Sequence, residues 1–475
     1  MAPTRVLTWW GNTLALVAGL MLIAALLGVL ASEYASALNL AVAAIITAVL
    51  GGVIVLAVKD VPARESSKDA LAFLVLFWLT MPIAGALPYL FMGATDSLTV
   101  AWFEAVSAFT TTGASTLVPE TVPRSLLLWR SLLQFFGGVS VTTLAVVVLA
   151  SLNLTGTGIH RSALFTLDRE RLFRKLLNVG GIVTVIYSTI AFGGFVLMTV
   201  AGAPVFDALN LSMTAVSTGG LTTRSVPLAE YIPLGASVVL ALVCLLGAAS
   251  IAAHWDIFRI RSLREIRGFV RNVEHRALFG LLVGLGLLGF AYTGFRHFTT
   301  VGLEAAYLVS STGYDYNVIG LELLPPAVLI AIALIGGSAL STAGGLKLIR
   351  MLLLFRHLRV DIERLSHPSR VKPVRFRGRM IPDSAFLSIW MYFLGFTLMF
   401  GLGTLLLGAS GLDYDVAVPA GAASLSNVGP LLDSNMTVVG WRDFTHMQLS
   451  ISAALMLIGR VEVLAILAFL FATGR

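Results

Sequence analysis

The sequence predicts an all-α membrane protein with about ten transmembrane helices. Hydrophobic residues make up 57% of the 475 residues and charged residues only 12%, about half the share of roughly 25% that is usual in soluble proteins. The mean hydropathy is +0.90, so a soluble fold of this chain would lack a polar coat. Apolar runs of about 20 residues, the length that crosses a bilayer, recur along the chain with short connections.

The first two apolar runs, Asn12–Leu30 and Leu38–Val58, predict two N-terminal transmembrane helices within residues 1–68. The alternative for the first run is a signal peptide, because Ala35-Ser36-Ala37 resembles a cleavage site. That run is longer than the roughly 7–15 apolar residues of a signal peptide, and a second span follows at once.

After residue 68 one unit occurs four times, with a period of about 100 residues. Each unit has an apolar span, a short amphipathic segment and a second span. The short segments cannot cross a bilayer, and they fit re-entrant pore helices that line a water-filled path. The sequence therefore predicts four helix–pore-helix–helix units around a central ion pore, in residues 69–174, 175–273, 274–380 and 381–475.

The basic residues fall on alternate connections. Most of the 32 Lys and Arg residues lie on one side of this topology, which the positive-inside rule makes cytoplasmic together with both chain ends. The opposite side is net negative and would attract cations, although this balance also follows from keeping basic residues inside. Because the net charge of +7 is sorted by membrane side, no nucleic-acid partner is expected. Three inner basic segments could contact a cytosolic protein or anionic membrane lipids: Arg161–Lys175, Arg259–Arg276 and Arg356–Arg379.

The four short segments end in similar sequences, each with a glycine after small or β-branched polar residues. Glycine lets backbone carbonyls approach a narrow axis, and rings of carbonyls can replace the hydration shell of K⁺. The partly negative C-terminal ends of the pore helices would favour a cation. One such sequence alone is also typical of a plain re-entrant loop or a helix cap, but four equivalent copies predict a potassium filter. Its candidate residues are Thr111, Thr112, Gly113, Thr218, Gly219, Gly220, Ser311, Thr312, Gly313, Asn427, Val428 and Gly429.

A glycine-rich stretch interrupts the second span of the third unit. Gly336, Gly337, Gly344 and Gly345 would each cost a continuous helix about 1 kcal/mol, so we expect a loop at membrane depth, with a structural kink as the alternative. A phosphate-binding loop is disfavoured because Leu346 separates Gly345 from Lys347.

Several charged residues fall within or beside the predicted spans. Arg460 lies in the last span, where a charge is costly enough to suggest a function, the alternative being a structural ion pair. Lys347 is either a second positive barrier or an anchor at the inner leaflet. Four carboxylates suit the first turns of the pore helices, where they would cap the helix dipole: Glu104, Asp207, Glu304 and Asp415.

At these residues the chain resembles the Trk/Ktr/HKT superfamily of potassium transport proteins, closest to the bacterial Trk-type membrane subunit (TrkH-like). The resemblance covers nearly the whole chain. The residues that carry it are Phe77-Trp78-Leu79, Gly85-Ala86-Leu87-Pro88, Phe103-Glu104-Ala105-Val106-Ser107, Trp129-Arg130-Ser131-Leu132-Leu133-Gln134 and Gly137-Gly138, together with the two extra N-terminal spans.

The resemblance implies more than the residues show alone. It implies potassium uptake across the bacterial inner membrane, a homodimer with one pore per subunit and a cytosolic nucleotide-binding ring protein (TrkA-like). It makes the stretch from Gly336 to Lys347 a gating loop and places Arg460 in the ion path as an electrostatic barrier. Glycine at position 113, where sodium-favouring relatives of the plant branch carry serine, favours potassium.

Other classes of function are less consistent with the sequence. The seven histidines show neither metal-ligand spacing nor a nucleophile signature, so we do not expect an enzyme, and the only expected cofactor is the transported K⁺. A proton- or sodium-coupled alternating-access transporter remains the alternative. Such folds use inverted repeats, whereas the four units here enter from one side.

Overall fold

The computed structural model describes residues 3–59, 67–149, 172–258, 272–294, 297–317, 321–367, 375–376, 379–381, 383–433 and 439–461. Within these ranges, seven helices are long and apolar enough to cross a membrane, and a bent helix pair is an eighth candidate. The prediction of an all-α membrane protein is confirmed. Two short strands, β1 (Arg375–Phe376) and β2 (Arg379–Met380), form an antiparallel pair.

Two N-terminal helices precede four units of similar plan. The N-terminal pair is α1 (Pro3–Leu30) and α2 (Tyr34–Ala57). The first unit contains α3 (Ser67–Phe91), the short α4 (Leu98–Phe109) and α5 (Arg124–Leu144), extended by a π-helical turn over Ala145–Leu149. The second contains α6 (Leu172–Val200), the short α7 (Val205–Val216), α8 (Leu234–Ala248) and α9 (Ile251–Phe258).

The other two units repeat this order. The third contains α10 (Val273–Thr293), the short α11 (Phe298–Val309), α12 (Pro326–Ile335) and α13 (Leu348–Ser366). The fourth contains α14 (Asp383–Ala409), the short α15 (Tyr414–Ser426), α16 (Pro430–Asp433) and α17 (His446–Val461). One 3₁₀ turn precedes the second span of each unit: Pro119–Thr121, Leu228–Glu230, Leu321–Leu323 and Trp441–Asp443.

The N-terminal pair packs on the first unit through polar contacts as well as apolar ones. Trp10 Nε1 donates to Thr80 Oγ1 at 2.6 Å. In the turn between α1 and α2, the Glu33 carboxylate accepts from the backbone N–H groups of Arg124 and Ser125 at 2.9 and 3.1 Å. These are unpaired donors at the start of α5, so Glu33 caps that helix from a distant part of the chain.

The structure corrects one span. The sequence predicted an uninterrupted second span for the second unit, but α8 and α9 meet at 103° with a break at Ala249 and Ser250. The backbone groups beside the break are hydrogen-bonded, because Ala248 O and the Ile251 N–H bond to the loop between α12 and α13. That loop is itself the interruption expected from the glycines.

Some predictions fall on residues that are not described. Most of Arg161–Lys175 and Arg259–Arg276, and part of Arg356–Arg379, lie outside the described residues. So does the end of the last predicted span.

Candidate functional site

All four short helices end in the same backbone turn. In each, a non-glycine residue has a positive φ: Thr111 (53°), Thr218 (52°), Ser311 (61°) and Asn427 (54°). The N–H of the following residue donates to the carbonyl five residues back, at 2.8–2.9 Å, in each of the four turns. This is a Schellman cap in which a left-handed L-residue costs roughly 1–2 kcal/mol. Such strain concentrates at functional sites.

The four turns meet in a closed ring. The contacts between neighbouring turns can be traced by adding a Cβ to the glycine that ends each turn and finding the atom that lies nearest to it. That atom is Gly219 O at 1.8 Å for Gly113, Thr312 O at 2.2 Å for Gly220, Val428 Cγ1 at 3.0 Å for Gly313 and Ala114 N at 2.1 Å for Gly429. The Gly429 N–H also donates to Thr112 O at 2.7 Å, which joins the fourth turn to the first. All twelve predicted filter residues therefore lie together, although they come from sites about 100 residues apart in the chain.

A cavity of about 400 Å³ opens on one face of this ring, and we call it the vestibule. All four units contribute to its wall, through Gly113, Gly220, Tyr314 and Pro430 among others. Its charged lining residues are Arg130, Arg224, Arg442, Asp315, Asp433 and Asp443. Acidic and basic side chains are balanced in this wall, with three of each, so the lining itself carries no formal excess of negative charge.

The predicted capping role of Glu104 and Glu304 is wrong. Both are buried in the middle of their helices, and Ser97 caps α4 instead. Glu104 accepts from Thr116 N at 2.6 Å and from Thr116 Oγ1 at 2.9 Å. Glu304 accepts from Leu321 N at 2.6 Å. Asp207, which does lie in the first turn of α7, accepts from Thr223 Oγ1 at 2.7 Å. Each carboxylate holds the chain segment that leaves its own ring turn.

The loop between α12 and α13 lies against the other face of the ring. Thr218 Oγ1 donates to Thr342 Oγ1 at 3.1 Å, and the Gly344 N–H donates to Ser311 Oγ at 3.0 Å. A Cβ on Gly344 would lie 1.7 Å from Ser426 O. Ser338, Leu340, Ser341, Thr342 and Ala343 are all buried. The loop thus touches the second, third and fourth turns directly.

Arg460 completes this contact at the first turn. Its buried guanidinium donates to the carbonyl oxygens of Thr110 and Thr342 and to Thr111 Oγ1. These partners are neutral oxygens rather than the carboxylate expected for a structural ion pair. Lys347 Nζ donates to Ser341 O at 3.2 Å and also to Ala343 O, so Lys347 links the end of the loop to its middle.

The loop is also anchored on its far side. The Ser338 N–H donates to Ala248 O at 3.1 Å, and the Ile251 N–H donates to Leu340 O at 2.8 Å. Glu274, in the first turn of α10, accepts from the Ala339 N–H at 2.9 Å. Sequence reasoning missed Glu274, because nothing in its local pattern indicates a partner 65 residues away. A smaller cavity of about 40 Å³ is lined by the loop together with Trp78, Tyr392 and Arg460.

A family model described as a cation transport protein, TrkH, matches residues 37–473. The chain belongs to the TrkH family. The predicted membership is thereby confirmed.

Relatives and a solved structure agree with this assignment. The chain is 29% identical over 413 residues to the "Trk system potassium uptake protein TrkH" of Salmonella typhimurium, covering 84% of both chains. It is 28% identical over 424 residues to the protein of the same name from Vibrio parahaemolyticus, covering 86% of both. The crystal structure of the potassium transporter TrkH from Vibrio parahaemolyticus superposes with a TM-score of 0.89 at 26% identity, covering 100% of this chain and 99% of that one.

Proposed function

We propose that this TrkH-family chain takes up potassium across the bacterial cytoplasmic membrane, and that the ring of four turns is its selectivity filter. One observation carries the proposal: four left-handed turns, from four units, close into a single ring at the C-terminal ends of four short helices. The negative ends of those helix dipoles then face a common point. The potassium uptake named for the relatives supports K⁺ as the transported ion.

The lack of space around the filter glycines explains why side chains are excluded. At Gly113 a Cβ would overlap Gly219 O, and the φ of +82° is unfavourable for other residues. Serine there would push the first and second turns apart. Because K⁺ selectivity depends on how many carbonyls surround the ion and how closely, we expect this one change to weaken discrimination against Na⁺.

The loop and Arg460 would form the gate. A buried positive charge beneath a cation filter raises the barrier to a passing cation. The loop contacts the second, third and fourth turns directly and is joined to the first turn by Arg460. We infer that the arrangement is a closed gate, which opens when the loop leaves the ring. Gly336, Gly337, Gly344, Gly345 and Lys347 would provide its mobile backbone and its internal tether.

Orientation and partners complete the proposal. The vestibule would face the outside and both termini the cytoplasm, as the charge pattern predicts. We further propose a homodimer that binds a cytosolic nucleotide-binding ring protein, with membrane lipids around the exposed apolar faces. The function is transport rather than catalysis, with K⁺ as cargo.

The proposal is tested by uptake of ⁸⁶Rb⁺ into K⁺-loaded proteoliposomes, with K⁺ and Na⁺ as competitors. We expect K⁺ to compete far better than Na⁺ in the wild-type protein, and Na⁺ to become an effective competitor in Gly113→Ser. The matched control is Gly93→Ser, because Gly93 also has a positive φ (68°) but has open space around it. Identical competition in wild type and Gly113→Ser would overturn the filter assignment.

A further inference from the structure

The third residue of the ring turn differs in the second unit. The other units carry a β-branched residue there: Thr112, Thr312 and Val428. In the first and third turns its hydroxyl braces the turn from within, since Thr112 Oγ1 bonds to Thr110 Oγ1 at 2.7 Å and Thr312 Oγ1 to Ser310 Oγ at 2.9 Å. Gly219 has no side chain to make this brace.

A side chain from the first unit fills the space beside Gly219. A Cβ on Gly219 would lie 2.0 Å from Gln134 Cδ and 2.2 Å from Gln134 Nε2. Gln134 is fully buried, and its Nε2 donates to Gly219 O at 3.0 Å. Gly219 is not among the residues with positive φ. Glycine is therefore required at this position by lack of space rather than by backbone conformation.

The helix that carries Gln134 cannot easily move away from the ring. One turn further along α5, a Cβ on Gly138 would lie 2.7 Å from Ser217 Cβ, and one on Gly137 would lie 1.9 Å from Phe109 O. The helix backbone thus approaches both the first and the second turn closely, which fixes the position of the Gln134 amide.

We propose that Gln134 is a positioning residue that determines the ion selectivity of the ring. Its hydrogen bond supports the second turn, as the hydroxyl–hydroxyl bonds within the first and third turns support those turns. Gln134 fills the space behind Gly219 and holds the Gly219 carbonyl in place. The inference rests on the proposed function of the ring as a filter.

The test measures binding rather than flux, so that a closed gate does not affect it. ⁸⁶Rb⁺ binding to the purified full-length protein in detergent is competed with K⁺ and with Na⁺, and the ratio of the two inhibition constants is compared. Gln134→Met keeps the volume but loses the donor, Gly219→Thr introduces a clash, and Gln134→Ala/Gly219→Thr moves the side chain from the helix to the turn. Gln448→Ala is the matched control, since Gln448 Nε2 donates to Ser410 O at 3.2 Å, outside the ring.

We expect the selectivity ratio to fall about fivefold in Gln134→Met, the effect of one net hydrogen bond. It should fall further in Gly219→Thr, recover to within about threefold of wild type in the double variant, and stay unchanged in Gln448→Ala. A wild-type ratio in Gln134→Met overturns the inference, even where Gly219→Thr fails to fold. A double variant no better than folded Gly219→Thr also overturns it. Gly113→Ser is measured alongside to separate the two proposals. If Gly113→Ser alters the ratio and the Gln134 variants do not, only the inference about Gln134 fails. If Gly113→Ser leaves the ratio unchanged, the proposal that the ring is a filter fails.

Discussion

Arg460 Nη1 donates a hydrogen bond to the carbonyl oxygen of Thr342, the residue at which the loop between α12 and α13 meets the ring. The same guanidinium donates through Nε to Thr110 O. One buried cation thus joins the loop to the first ring turn. Because hydrogen bonds to charged groups contribute about 1.5–3 kcal/mol each, this contact strongly favours the arrangement in which the loop lies against the ring.

Replacing Arg460 with alanine should open the pathway. The change removes both the tether on Thr342 and the buried positive charge beside the ring, so we expect the rate of ⁸⁶Rb⁺ uptake into proteoliposomes to rise by about tenfold. Arg460→Lys keeps the charge but not the planar set of donors and should give an intermediate rate.

Arg276→Ala is the control, because Arg276 is an exposed arginine of α10. We expect it to match wild type. An uptake rate in Arg460→Ala at or below that of wild type would contradict the gating role of this arginine.

Glu274 should act as a latch on the loop from its far side. Its carboxylate accepts the Ala339 N–H at 2.9 Å, and Glu274→Ala leaves that donor without this acceptor. Ser338, the preceding residue, is fully buried, so Ser338→Cys reports opening of the loop through its reaction with a soluble thiol reagent. We expect the labelling rate to rise about tenfold in Glu274→Ala.

The native Cys244 is buried and gives a low background for this measurement. The control reporter is Ser452→Cys, at a fully buried serine of α17. General loosening of the protein would raise labelling at both cysteines. Equal labelling of Ser338→Cys with and without Glu274 would show that the carboxylate does not hold the loop.

Local patterns in the sequence were sufficient to predict the four-unit plan and the ring. Each unit carries its own apolar periods and its own glycine, so twelve residues in four distant places could be assigned to one site before any contact was known. The loop was predictable for the same reason, since the glycines at 336, 337, 344 and 345 disfavour a continuous helix.

What could not be predicted depends on contacts between distant parts of the chain. The break between α8 and α9 contains no proline or glycine, and the backbone groups of Ala248 and Ile251 beside it bond to the loop instead of continuing a helix. Glu104 and Glu304 resembled helix caps by position along the chain. Their partners lie beyond the ring, a relationship that only the folded turn reveals.

The carboxylate of Glu104 should therefore stabilise the folded protein rather than only its own helix. It is buried and accepts hydrogen bonds from Ser115 and Thr116. Glu104→Ala leaves the Thr116 N–H without this acceptor, at a cost of about 1–3 kcal/mol. We expect the apparent Tm in detergent to fall by several degrees, and by less in Glu104→Gln, which retains an acceptor oxygen. The exposed Glu230 gives the control variant Glu230→Ala. A Tm equal to that of the control would refute the bracing role.

Asp433 should make uptake depend on pH at the vestibule side. Asp433 keeps contact with solvent, but it lies in the concave vestibule wall. Its partial removal from bulk water there raises its pKa to about 7. The backbone hydrogen bond from Trp441 and the nearby Arg442 lower the pKa, but by less. The ionised form predominates above this pH and adds a negative charge near the ring. At subsaturating ⁸⁶Rb⁺ we expect uptake to rise about twofold between pH 6 and pH 8, as a unit charge several ångströms away in water predicts.

Three variants test whether Asp433 is the source of the pH dependence. Asp433→Asn keeps an acceptor for Trp441 and should give a flat profile at the lower rate. Asp443→Asn keeps the titrating group, so the pH dependence should persist, but its midpoint should move to lower pH because the negative charge of Asp443 helps to raise the pKa of Asp433. His446→Gln removes the imidazole beside Ser97 and serves as the comparison outside the vestibule wall. A pH dependence that survives in Asp433→Asn but is lost in His446→Gln would assign the effect to the histidine instead.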